Sequence, residues 1–322
     1  MDFFLSVAFV LCWSSGFVGA RLGTEDAGAV TLLMWRFLPL ALVLVAVAVA
    51  RGRASWRRPA GRDLGRQAVI GLLSQSGYLF TVYWAIQLGV SSGTTALIDG
   101  TQPLVAGALA GPLLRQYVSG RQWFGLCLGL AGVVLVATAD AGAVGGVAWW
   151  AYLVPFTGML SLVAATFLEQ RSRADVPPVV SMTVHCATSA VVFTGAALAA
   201  GAAVPPSTPS FWGAVGWLVV LSTCGGYGLY WLVLRRSGVT KVNTLMFLMA
   251  PVTAVWGAAM FGEPFTPQTA VGLAVALSAV VVVRAARPRT GHEAPRPRAG
   301  AAPPDGSRRA PDAAPRESSS RR

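Results

Sequence analysis

The chain has 322 residues, of which 54% are hydrophobic and 12% charged, with a formal net charge of +12. A soluble domain carries about 25% charged residues, and here the apolar excess is concentrated in the first 284 positions. That pattern excludes a soluble enzyme, a nucleic-acid-binding domain and a disulfide-stapled secreted domain.

Taken in chain order, ten apolar runs predict an all-α integral membrane protein with ten transmembrane helices. They cover 3–20, 30–50, 67–88, 91–113, 120–138, 147–168, 178–201, 211–234, 241–262 and 266–285. Each approaches the ~20 residues that cross a bilayer core of about 30 Å. Runs such as Val43–Val49 and Val280–Val283 lack the alternation of a barrel strand. In lipid, helices are the remaining way to satisfy the backbone. Pro39, Pro103, Pro112, Pro155 and Pro251 fall inside runs and are expected as kinks. Asp2 and the missing basic flank argue against a cleavable signal in the first run. Cys12, Cys127, Cys186 and Cys224 lie in four different runs, with no CxxC pair, and are expected to be free buried thiols.

Basic residues near span ends favour the cytoplasm. With an inside N-terminus, the inner loops hold thirteen of the 25 basic residues, from Arg51 to Arg66, at Arg115 and Arg121, at Arg171 and Arg173, and at Arg235, Arg236 and Lys241. The outer loops hold Arg21 alone. Ten spans place both termini in the cytoplasm. The positive charge therefore reads as topology, with attraction to anionic headgroups, and no nucleic-acid partner is expected. Residues 286–322 have seven prolines and no aromatic residue, and read as a disordered, basic, Pro-rich cytoplasmic tail.

The chain repeats itself. Gly77-Tyr78 recurs as Gly226-Tyr227 and Gly89-Val90 as Gly238-Val239, both at an offset of 149; Pro103 recurs as Pro251 at 148; Gly125-Leu126 recurs as Gly272-Leu273 at 147. This predicts two five-helix copies, 1–140 and 141–285. Five is odd, so the second copy enters the membrane inverted, an architecture of secondary transporters.

Several stretches carry a family resemblance. They are Leu11-Cys12-Trp13-Ser14-Ser15-Gly16-Phe17, Trp35-Arg36-Phe37, and the run from Arg235 to Gly272 with its Pro251 and Gly262-Glu263. Over residues 3–285 the chain resembles the EamA family of the drug/metabolite transporter superfamily. The resemblance implies ten helices, two inverted five-helix repeats, cytoplasmic termini, and export of metabolites, amino acids or toxic compounds. It also implies that helices 1, 3, 4, 6, 8 and 9 line a central cavity, which makes Trp13 a candidate. The first copy departs from the pattern at Leu114-Arg115, where Gly-Glu is common.

Ionisable groups inside spans are costly and are functional candidates by default. Arg36 and Asp99 lie at similar depths from the outer face, so an ion pair between them is one reading; Arg36 snorkelling outward is another. Thr95, Asp99 and Gln102 follow i, i+4, i+7 spacing beside Pro103 and suggest a polar cavity stripe. Asn243 is the counterpart of Thr95. Tyr227, Tyr230 and Trp231 share a face, as do Gln75 and Tyr78, and such aromatic surfaces suit amphipathic or cationic solutes. Core packing or an interfacial belt is the structural alternative for these rings. Trp149, Trp150, Trp212 and Trp217 are expected in the belt. His185 is expected to hydrogen-bond across helices, Glu169 to end a helix in solvent, and Glu263 to cap an outer loop. Gly125, Gly129 and Gly132 are expected at a helix–helix contact, within the chain or in a homodimer.

These features predict a secondary transporter acting as an exporter, with a small-molecule substrate, the lipid bilayer and protons as partners and no cofactor or metal. No Walker motif or HExxH appears. A passive facilitator or channel is the main competing reading, and a membrane-embedded enzyme the weaker one.

Overall fold

In a computed structural model, residues 2–50, 61–114, 119–171 and 176–285 are described, and every regular element among them is helical. The tail from 286, and the arginines between 51 and 60, lie outside the described residues. Seven helical stretches are long and apolar enough to cross a membrane: Phe3–Thr24, Ala29–Ala50, Gly61–Gln87, Gly120–Val144, Trp149–Gln170, Pro178–Ala199 and Pro209–Gly238. Two shorter apolar helices, Met249–Phe261 and Pro267–Val283, follow. The fourth predicted run is also helical but divided.

The elements are α1 (Asp2–Thr24), α2 (Ala29–Ala50), α3 (Gly61–Gly71), α4 (Tyr78–Gln87), α5 (Ser92–Gly100), α6 (Gln102–Leu114) and α7 (Gly120–Val144). After them come α8 (Val154–Gln170), α9 (Pro178–Ala199), α10 (Pro209–Trp217), α11 (Gly226–Met246), α12 (Met249–Phe261) and α13 (Pro267–Ala285). Two predicted helices contain π-helical segments. Leu72–Gly77 joins α3 to α4, and Leu218–Gly225 joins α10 to α11. Two others are interrupted next to a proline. Thr101 separates α5 from α6, which holds Pro103; Phe247 and Leu248 separate α11 from α12, which holds Pro251. A proline has no N–H to bond back into the preceding turn, so a helix restarts with it near the beginning. Pro103, Pro155 and Pro251 therefore sit in first turns rather than as interior kinks, while Pro39 lies inside α2 and Pro112 falls within α6. Gly238 takes φ 76°, a turn open to glycine, and marks a kink within α11.

Without a hydrophobic drive between helices in lipid, association depends on close packing. The helices pair across the chain. α7 lies on α13, α2 on α9 and α5 on α12. α8 lies on α4 and on Leu72–Gly77, just as α1 lies on α11 and on Leu218–Gly225. Phe37 stacks on Phe193 with centroids 6.0 Å apart, inside the cluster that joins α2 to α9. The glycine face of α7 is filled from within the chain. A Cβ on Gly125 would meet Val283, and one on Gly132 would meet the backbone of Ala276 and Gly272 at 2.7 Å.

Two side-chain expectations change. The four cysteines are free, but only Cys186 is buried; Cys127 and Cys224 are exposed. Trp149, Trp150 and Trp212 are exposed, as belt residues are. Trp217 instead joins helices, donating its indole N–H to the Ser15 carbonyl at 3.0 Å and packing edge-on to Trp256.

Candidate functional site

A cavity opens between α1, α2, α4, α11 and the two π-helical segments. Trp13, Arg36, Tyr78, Tyr83, Ser222 and Tyr227 line it, and its volume is about 50 Å³. Each wall has a local cause. Tyr78 and Tyr227 are placed just past Gly77 and Gly225, where the wider π turn ends and α-helix resumes. Such bulges are frequent at functional sites because they rotate one stretch of side chains relative to the rest.

The aromatic wall is continuous. Trp13 packs against Tyr227 at 5.6 Å and Tyr230 at 6.0 Å, with Phe9 against both Trp13 and Tyr230. Gln75 donates to the Tyr227 hydroxyl at 3.4 Å and accepts from Ser189 at 3.5 Å. Gln75 is therefore a support behind the wall.

Arg36 does not reach Asp99. It is 3% exposed and donates to three hydroxyls: that of Tyr83, that of Ser222 at 3.3 Å and that of Thr223 at 3.0 Å. Its guanidinium lies over the rings of Phe37 and Tyr83. Asp99 instead accepts from the Tyr78 hydroxyl at 2.8 Å, and its other oxygen has no hydrogen-bond partner. Among the described residues the recorded ion pair is Arg21–Glu25. The expected Arg36–Asp99 pair and the snorkelling alternative are both replaced by this arrangement, because hydroxyls on α4 and on Leu218–Gly225 meet the guanidinium first.

The predicted polar stripe is not one surface. Thr95 is fully buried and returns its hydroxyl to the Ser91 carbonyl of its own helix. Gln102 lies beyond the break at Thr101 and donates to Thr166 on α8. Of the three, Asp99 alone reaches the cavity wall, through Tyr78. The side chains of Trp231 and Asn243 lie outside the described ones. Sequence reading missed Tyr83, Ser222 and Thr223. The repeat offset of 149 was the available signal, since it carries Ser74, on the cavity wall, to Thr223.

Other polar groups build the ends of the helices. Glu263 accepts from the Ser92 backbone N–H and hydroxyl, at 3.0 and 2.7 Å, and Asp140 accepts from the Ser91 N–H at 3.1 Å. Both carboxylates thus hold the start of α5, which extends the capping role expected of Glu263. Within α3, Gln67 accepts from the His185 ring at 2.8 Å and donates to Glu169 at 3.1 Å. The cross-helix bond expected of His185 is present, and exposed Glu169 ends α8 as expected. Among the described residues no group of three or more His, Cys, Asp or Glu side chains is gathered as a metal site.

Comparison with known proteins agrees with this architecture. The EamA-like transporter family matches residues 2–138 and 149–285. A probable terminal-alkyne amino-acid exporter of Streptantibioticus cattleyicolor is 25% identical over 292 residues, covering 86% of this chain and 91% of that protein. The uncharacterized inner membrane transporter YedA of Escherichia coli is 26% identical, covering 86% and 88%. An S-adenosylmethionine/S-adenosylhomocysteine transporter of Chlamydia trachomatis is 28% identical, covering 83% and 84%. A solved crystal structure shares the fold with a TM-score of 0.61 at 19% identity, over 88% of this chain and 96% of that one. The chain belongs to the EamA-like transporter family, and is a multi-pass membrane transporter of the drug/metabolite type rather than an enzyme.

Proposed function

We propose that the protein is a secondary transporter that exports a small organic solute (a metabolite, an amino acid or a drug-like compound) across the plasma membrane by alternating access. In this reading ten spans form two inverted five-helix repeats, 1–140 and 141–285, with both termini and the tail from 286 in the cytoplasm.

The observation that carries the reading is the matched set of helix interruptions. The π-helical segments Leu72–Gly77 and Leu218–Gly225 lie at nearly the repeat offset, as do the breaks at Thr101 and at Phe247 and Leu248. Interruptions in corresponding positions of two halves mark the binding region of inverted-repeat transporters. The polar contacts support the topology. Glu263 and Asp140 meet Ser92 and Ser91, joining three segments read as outside. Gln67 meets Glu169, joining two read as inside.

The packing also departs from that symmetry. α1 packs on α4 and α5, whereas α8 makes no contact of that extent with α11 among the described residues. An unequal pair of this kind suits one end state of a rocking mechanism, closed at one side. Asp99 is the coupling candidate, as a carboxylate at membrane depth beside the cavity wall.

The test is solute movement in proteoliposomes, screening amino acids and cationic aromatic compounds with and without a pH gradient. Saturable, gradient-driven movement that Asp99→Asn abolishes at unchanged expression is the expected result. Movement indifferent to the gradient would favour the passive facilitator and overturn the coupled mechanism.

A further inference from the structure

The cavity holds a cation with no counter-charge among the described residues. Arg36 lines it while being 3% exposed, and no carboxylate among the described residues forms an ion pair with it. All three recorded acceptors are neutral hydroxyls. A guanidinium has five N–H groups in a planar fork, and here the Nε–H has no partner. A charge removed from water costs several kcal/mol unless paired. Asp99, which reaches the cavity wall through Tyr78, is engaged there instead. The protein thus maintains a dehydrated positive charge, with an unused donor, at the wall of its cavity.

We infer that Arg36 is the anchor for a carboxylate on the transported solute, whose apolar or aromatic body lies along Trp13 and Tyr227. This deepens the transporter reading above and rests on it. A planar carboxylate matches the guanidinium fork. Its single charge also balances the single cation on the wall, whereas a phosphate dianion would bring a second charge that nothing there meets. The hydroxyls of Tyr83, Ser222 and Thr223 orient the fork, and they come from α4 and the π-helical segment before α11. A carboxylate on Arg36 would therefore be felt by elements of both halves of the chain, which is what a solute must do to bias a rocking equilibrium.

The experiment uses the full-length protein and pairs of probes that differ only at the acid: 3-phenylpropionate against 3-phenylpropanamide, and phenylalanine against phenylalaninamide. Exchange is measured in proteoliposomes, and binding by the shift in unfolding temperature in detergent. The acids should bind and exchange about 10- to 100-fold better than the amides, the worth of a hydrogen-bonded charge. Arg36→Gln should erase that preference, and Arg36→Lys, which keeps the charge without the fork, should retain part of it. The comparison of acid with amide on the unaltered protein needs no variant to fold. If amides equal acids, or Arg36→Gln still discriminates between them, the anchor is overturned while transport stands. If neither acid nor amide moves but the acids alone raise the unfolding temperature, the anchor holds and the transport reading fails for these solutes. If neither acid shifts unfolding nor moves, the anchor is overturned.

Discussion

Tyr78 donates its phenolic hydrogen to Asp99 across 2.8 Å, so this acid is held by a neutral group while Arg36, on the cavity wall, is held by others. Acid and base are kept apart by their hydroxyl partners. An ion pair in the same place would fix α2 to α5 and neutralise both groups. The observed arrangement leaves each charge with unused bonding capacity.

Tyr78→Phe removes the recorded donor to Asp99 and leaves both carboxylate oxygens without a partner. A buried polar group stripped of its bond costs about 1–3 kcal/mol. The expected outcome is a lower unfolding temperature and gradient-driven transport reduced about tenfold or more, with Tyr78→Phe combined with Asp99→Asn no less stable than Tyr78→Phe alone. Thermal unfolding of the three variants in detergent checks this. Additive losses in the double variant would mean the two residues act separately.

The start of α5 offers a second measurement. Glu263, from the segment before α13, accepts from the Ser92 hydroxyl and backbone N–H. Removing a helix-capping acceptor costs about 0.5–2 kcal/mol. Glu263→Ala should therefore destabilise the protein by about that amount, and Ser92→Ala by less, because the Ser92 backbone N–H still reaches the carboxylate. A double-mutant cycle should give a coupling of about 0.5 kcal/mol or more. A coupling indistinguishable from zero would leave the contact without energetic weight.

The helices were legible in the sequence because a lipid-spanning run needs only length and apolarity. Arg36, Asp99 and the aromatic residues were legible as candidates because charges and tyrosines inside such runs are exceptions. Their pairings were not legible. Depth along a helix can be counted from a sequence, but rotation about its axis cannot, and the π turns at Leu72–Gly77 and Leu218–Gly225 change that rotation midway. Nothing in LLSQSG or LVVLSTCG marks a wider turn. The stripe from Thr95 to Gln102 failed for a related reason: the helix breaks at Thr101, so i, i+4, i+7 spacing no longer describes one face. Pro103 foreshadowed that break, as Pro251 foreshadowed the one before α12.

Gly132 tests the packing of α7 on α13. An added Cβ there would meet the Ala276 nitrogen and the Gly272 carbonyl at 2.7 Å, and those atoms are backbone. Neither can swing aside, so α7 and α13 must separate. Overpacking of this sort costs about 1–3 kcal/mol. Gly132→Val should lower the yield of monodisperse protein and its unfolding temperature, whereas Gly142→Ala, with open space around it, should not. Size-exclusion profiles of the two variants decide between this and a loosely packed helix pair.

Gln67 is 1% exposed and ties α3 to two neighbours, accepting from the His185 ring at 2.8 Å and donating to Glu169 at 3.1 Å. Gly71 one turn later lies so close to α9 that an added Cβ would meet the His185 Cα at 2.8 Å. Close packing thus leaves the His185 ring little freedom except toward Gln67. Gln67→Leu keeps the volume and deletes both bonds. It should destabilise the protein by about 1–3 kcal/mol, because the buried face of the His185 ring loses its partner. Replacing both partners with apolar residues removes the stranded group, so Gln67→Leu with His185→Phe should recover part of the loss. Unfolding temperatures of the single and double variants measure this. A double variant as unstable as the sum of its parts would show that the Gln67–His185 bond contributes no coupling across α3 and α9.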